Sequence, residues 1–153
     1  MSAAKSFPFG LHRIRASEIF FASRYSFGLV NLKPLVPRVV PRFHDLTPDE
    51  VADMFQSAQT IARVLEREYK GVAMTVAMQD GALAGQTVPH CHVHLIPRRQ
   101  GDWPNNDDIY RDLDRGTRDN IVEDLTRPPR TLEDMAAEAT MLRKLFPDNN
   151  VIE

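Results

Sequence analysis

The chain has 153 residues, 42% of them hydrophobic and 26% charged, which describes one globular domain long enough to bury a core. A formal net charge of −2 removes the electrostatic argument for nucleic-acid or anionic-membrane binding, and no apolar run approaches a membrane span. The single cysteine, Cys91, can form no internal disulfide, and the first ten residues lack the apolar run of a signal peptide, so a cytoplasmic protein is expected.

In chain order, residues 1–5 read as a tail and Phe7-Pro8-Phe9-Gly10 as a turn, with a first strand over 11–14. Residues 18–22 and 26–31 are short apolar runs separated by Ser23-Arg24-Tyr25, the pattern of a hairpin of buried strands. Pro34, Pro37 and Pro41 follow, and because proline donates no ladder hydrogen bond this stretch is a poor interior strand. Thr47-Pro48-Asp49-Glu50 then combines an N-cap, a proline in the first turn and a capping-box glutamate. Val51, Met54, Phe55, Ala58, Ile61, Ala62 and Leu65 continue at helical spacing, with Gly71 as the stop.

Residues 72–79 alternate, with Val72, Met74, Val76 and Met78 on one face and Ala73, Thr75, Ala77 and Gln79 on the other. Asp80-Gly81 opens a short loop through Gly85, which predicts an antiparallel neighbour beyond it. From 102 to 129 the chain is polar and reads as a mobile loop or fraying helix. Thr131 is an N-cap candidate for a second amphipathic helix built on Leu132, Met135, Ala136, Ala139 and Leu142, ending near Pro147. The pattern predicts a single α+β domain over 1–153, with an antiparallel β-sheet and two main α-helices.

The antiparallel neighbour is the segment that carries chemistry. His90, His92 and His94 alternate with Cys91, Val93 and Leu95, a period of two that predicts a strand. On a strand the three imidazoles share one face, each roughly 6.5–7 Å from the next, and the apolar residues face a core. On a helix they would not converge.

Two chemistries suit such a row. Imidazoles on a strand can ligate zinc, with Asp102, Asp107 or His44 to complete the shell, but three such positions span roughly 13 Å and only two could reach one ion. Alternatively, a neutral histidine can attack phosphorus and split one displacement into two through a covalent intermediate. That requires a proton on one ring nitrogen, held by an acceptor, a lone pair on the other, and donors for the phosphate oxygens. Mutual repulsion disfavours protonating all three histidines, and the middle one, His92, is best placed as nucleophile. Isolated His-x-His pairs also arise on strands that merely expose histidines. Strict alternation of three, framed by apolar residues, sets this segment apart.

The run His90-Cys91-His92-Val93-His94-Leu95-Ile96 resembles the motif of the histidine triad family. Met78-Gln79-Asp80-Gly81, Gly85-Gln86-Thr87-Val88, Pro97-Arg98 and Gly101-Asp102-Trp103 resemble its fragile histidine triad branch, as do Leu29-Val30-Asn31 and Arg42-Phe43-His44-Asp45-Leu46. The resemblance covers nearly the whole chain. It implies a hydrolase of dinucleoside polyphosphates, typically diadenosine triphosphate to AMP and ADP, working as a homodimer through a nucleotidyl-histidine. It also implies a divalent cation, magnesium or manganese, carried by the substrate phosphates, with no tightly bound metal.

By the same resemblance His92 is the nucleophile, and His90 and His94 orient it and contact the α-phosphate. Gln79 and Gln86 hold phosphate or leaving-group oxygens, Asn31 binds the ribose and phosphate side, and Phe9 and Leu29 enclose the base. Tyr110 matches a regulatory tyrosine, although an exposed loop tyrosine is an equal reading, and Arg98 and Arg99 could draw in an anionic substrate. One departure stands out. Relatives follow the stretch like Lys33-Pro34-Leu35-Val36-Pro37 with an alternating apolar strand, whereas here Pro37 runs directly into Arg38-Val39-Val40-Pro41. The chain is short by roughly one strand. A nucleotide-binding, signalling-type protein without turnover is therefore the alternative to an active hydrolase.

Overall fold

The computed structural model describes residues 6–30, 38–115 and 131–149. Two antiparallel hairpins open the fold. The strands β1 (Ser6–Phe9) and β2 (His12–Arg15) pair with Phe9 opposite His12, so the expected turn at Phe7–Gly10 contracts to Gly10 and Leu11. Gly10 takes a φ of +55° and Leu11 keeps a negative one, the arrangement of a type II′ turn, whose twist matches that of the flanking strands. Pro8 is tolerated because a two-stranded ribbon leaves one edge without ladder demands. The second hairpin, β3 (Ile19–Ala22) with β4 (Phe27–Leu29), carries a register irregularity between Ile19 and Phe21 and is buried almost throughout.

The helix α1 (Pro48–Glu68) begins where the capping signals put it. The Thr47 hydroxyl accepts from Glu50 N–H at 3.3 Å, and the Glu50 carboxylate accepts from Thr47 N–H at 2.8 Å. Met54, Ala58, Ile61 and Leu65 are buried along one stripe. Phe55, which the spacing assigned to that stripe, is 43% exposed and instead meets the Phe43 ring edge-on at 6.3 Å. The helix ends in a Schellman motif: Gly71 N–H donates to Glu66 O at 2.7 Å and Lys70 N–H to Arg67 O at 3.3 Å. Lys70, not glycine, occupies the left-handed position with φ +53°.

The third antiparallel pair joins β5 (Ala73–Ala77) to β6 (His94–Arg98), with Ala77 opposite His94. The expected histidine strand is thus shifted. Regular pairing with β5 starts at His94 and runs through Arg98, because β5 ends opposite His94 and cannot reach His90–Val93; ahead of it His92 is an isolated bridge residue. Met74 and Met78 pack against the core while Val72 and Val76, on the same face, are 76% and 52% exposed. Among the described residues the strands form three two-stranded units rather than one continuous sheet. Residues 38–43 contribute Val40. It is 1% exposed, and its carbonyl accepts from Cys91 N–H at 2.6 Å.

Within the polar stretch a short helix forms, α2 (Asp108–Arg115), with Ile109 buried; the remainder to residue 130 lies outside the described residues. Helix α3 (Leu132–Arg143) is capped by Thr131, whose hydroxyl accepts from Asp134 N–H at 3.1 Å. Phe146 then packs against Phe20 and Phe21, and Asn149 exchanges hydrogen bonds with Ala22. The main core gathers residues from β3, α1, α3 and Cys91, Val93 and Leu95 of the histidine segment. A smaller core of Phe9, Ile19, Phe27 and Leu29 lies with the hairpins.

Two stability measurements check these assignments. Lys70→Gly removes the left-handed strain and should raise stability by about 1 kcal/mol, a rise of about 2–4 °C in Tm. The Glu50 carboxyl, ordinarily near 4.5, is held at about 2 by the Arg38 guanidinium and by Thr47. A depressed carboxylate stabilises fully above its unfolded value and loses that contribution as pH falls from about 4.5 towards 2. Glu50→Gln keeps the capping acceptor but not the charge, so its deficit in Tm against the parent should be evident at pH 6 and shrink towards pH 3.

Candidate active site

The histidine segment is a boundary layer between the two cores. Cys91, Val93 and Leu95 point into the larger one, and the histidines are themselves nearly enclosed, His90 at 0%, His92 at 2% and His94 at 6% exposure. Burial of three imidazoles demands hydrogen-bond partners. His92 Nδ1 lies 2.7 Å from the carbonyl oxygen of His90. A carbonyl only accepts, so Nδ1 carries the proton and Nε2 carries the lone pair. The His92 and His94 rings meet edge to face at 5.0 Å, closer than an ideal extended strand would bring them. His90 Nδ1 accepts from the backbone N–H of Gly10 at 3.2 Å.

Phe9 joins this layer directly. Its ring lies 5.4 Å from that of His90 and 5.6 Å from that of His92. Leu29 is buried in the same small core as Phe9. Gln79 follows β5 by two residues, just past the Ala77–His94 pair, at the end of the sheet where the histidines emerge. Asn31 lies outside the described residues.

Gln86 lies beside the start of the histidine segment. Its Oε1 accepts from Gly81 N–H at 2.8 Å, and its Nε2 donates to the carbonyls of Pro41 at 2.8 Å and His90 at 3.3 Å. Both ends of the amide are engaged with the backbone, and the His90 carbonyl receives Gln86 as well as His92. Nearby, the Asp80 carboxylate accepts two bonds from the Arg42 guanidinium, at 3.1 and 3.3 Å, and one from Phe43 N–H at 2.8 Å. These contacts hold the Asp80 carboxyl below the usual carboxylate range. Arg42 and Asp80 are 38 residues apart, and no local pattern announces the pair.

The residues that a zinc shell would recruit are placed elsewhere. Asp102 takes a bidentate pair from Arg98, at 2.7 and 3.1 Å, and His44 sits 3.4 Å from Asp45 on an exposed turn. Among the described residues no three His, Cys, Asp or Glu side chains gather as metal ligands. Arg98 also donates to Thr75 and Asn106 and lies over the Trp103 ring, so its guanidinium is built into the protein rather than turned to a ligand. Arg99 is exposed, as is Tyr110, at the start of α2. Burial pushes the Cys91 thiol up to about 11, which removes it as a nucleophile. The arrangement offers one chemistry above others: a neutral imidazole with its lone pair on Nε2, flanked by two more.

A family model for the HIT domain matches residues 18–101. A bis(5′-adenosyl)-triphosphatase of Dictyostelium discoideum is 45% identical over 149 residues, covering 92% of this chain and 93% of the relative. A bifunctional bis(5′-adenosyl)-triphosphatase/adenylylsulfatase of Arabidopsis thaliana is 41% identical, covering 95% of this chain and 87% of the relative. The crystal structure of the Caenorhabditis elegans NitFhit protein superposes with a TM-score of 0.74 at 35% identity, over 95% of this chain and 31% of that longer one. With the fold, the motif and these relatives in agreement, the chain belongs to the histidine triad (HIT) family.

Proposed function

We propose that this protein hydrolyses diadenosine triphosphate to AMP and ADP. The observation that carries the proposal is the 2.7 Å bond between His92 Nδ1 and the His90 carbonyl, which gives Nε2 the lone pair of a nucleophile. Nε2 attacks the α-phosphorus, the bond from that phosphorus to the bridging oxygen breaks, and ADP leaves. Phosphorylated at Nε2 and still protonated at Nδ1, the imidazole is cationic, and the His90 carbonyl stabilises that charge. Water then attacks the same phosphorus and gives up a proton to solvent, the P–N bond breaks with its electron pair returning to Nε2, and AMP departs with His92 restored as the neutral Nδ1–H imidazole. The identity to curated bis(5′-adenosyl)-triphosphatases over nine-tenths of the chain supports this substrate class.

In this reading His90 and His94 steady the α-phosphate, Gln79 holds phosphate oxygens, Asn31 takes the ribose side, and Phe9 and Leu29 border the base. Gln86 is assigned to the approach, where its amide fixes the His90 carbonyl. A divalent cation, magnesium or manganese, travels on the substrate phosphates. The reading extends to a cytoplasmic homodimer. Support for the dimer is the exposed apolar surface of Val76 on β5 and of Val72 just before it, on a strand paired only with β6 among the described residues.

A second reading, nucleotide binding without turnover, is favoured by one observation. Pro37 runs directly into Arg38-Val39-Val40-Pro41, so the sequence is short by about one strand ahead of the histidine segment.

Three measurements decide. Purified protein given diadenosine triphosphate should release AMP and ADP, and His92→Asn should lower that rate by roughly a thousandfold or more; a variant that retains the rate refutes the mechanism. Calorimetric nucleotide binding with no product would establish the second reading. Light scattering should report a dimer for the parent and a monomer for Val76→Lys.

A further inference from the structure

We infer that Gly10, in the turn between β1 and β2, is a positioning residue that sets the tautomer of His90. The consequence for catalysis rests on the reading of His92 as nucleophile. Gly10 N–H points at His90 Nδ1 from 3.2 Å, across 80 residues of sequence. A nitrogen that accepts a hydrogen bond holds a lone pair, so the proton of neutral His90 resides on Nε2. His92 has the opposite tautomer, with its proton on Nδ1. Adjacent imidazoles therefore alternate at Nε2 between a donor and a lone pair, and a displacement at phosphorus needs both, one for an oxygen and one for the attack. In the other tautomer His90 would set a second lone pair beside the nucleophile's.

The turn is built so that only glycine serves. With φ at +55° an L side chain is strained, and a Cβ would lie 2.8 Å from Val88 Cγ1 and 3.4 Å from Pro89 Cδ. Val88 and Pro89 lead directly into His90, so a side chain at position 10 would push on the segment that holds the imidazole. The neighbouring Phe9 ring covers both His90 and His92. His90 is fully enclosed, and in such a setting a lost amide donor is not replaced by bulk water.

The test compares the parent, Gly10→Ala and Gly10→Ala/Val88→Ala, using proton–nitrogen correlation spectra of the histidine rings together with hydrolysis of diadenosine triphosphate. The parent should show His90 protonated on Nε2. Gly10→Ala should shift His90 towards the other tautomer and lower kcat roughly 10- to 100-fold, with KM changing less. Trimming Val88 removes the closest clash and should restore both readings. A parent with His90 protonated on Nδ1 overturns the inference, as does a Gly10→Ala variant that loses activity while its His90 tautomer stays put. If Gly10→Ala fails to fold, the parent spectrum and the relieved double variant still decide. The tautomer is read without substrate, so an inactive parent would count against the proposed hydrolysis and leave this inference standing or falling on its own spectra.

Discussion

One hydrogen bond organises the site: a backbone carbonyl holding the proton of His92 on the side away from the attacking nitrogen. A carbonyl is fixed by the backbone, so whatever sets the path of the chain at His90 also sets the orientation of His92. Gln86 grips that carbonyl, Gly10 grips the ring of the same residue, and Cys91, immediately after it, is bound to Val40. The nucleophile is aimed by its predecessor, and three separate parts of the chain hold the predecessor still. Hydrogen bonds in such an enclosed layer are strong when complete and costly when one partner is missing.

The apolar periodicities explain why helices α1 and α3 and the β5–β6 pairing were readable. Each is a local pattern whose caps and turns agree with its burial, as with Thr47 and Glu50 or Thr131 and Asp134. Local pattern failed where long-range company decides. Phe55 has the right spacing for the core but meets Phe43 on the surface, and Val76 alternates correctly on a strand face that is only half covered. Phe7-Pro8-Phe9 reads as a turn by composition, yet pairing with β2 makes it a strand.

Within the site, residue types and spacing identified the histidines, and motif resemblance identified their neighbours. Neither could say that the amide of Gln86 would be spent on carbonyls, or that Arg42 would clamp Asp80, because both depend on where residues 40–43 come to lie. The irregular start of the histidine segment has the same origin. A strand is a property of two chains of backbone, and from His90 to Val93 β5 is no longer alongside.

Pro97 has a part in this as well. Arg98 O accepts from Val72 N–H, so Arg98 turns its backbone groups towards β5, and in an antiparallel ladder its neighbour Pro97 turns outward. Among the described residues no strand pairs with the outward edge of β6. Proline offers no N–H there, so another copy of the chain cannot extend a continuous ladder along it. An uncovered sheet edge is an invitation to self-association, and this ring withdraws one rung of it.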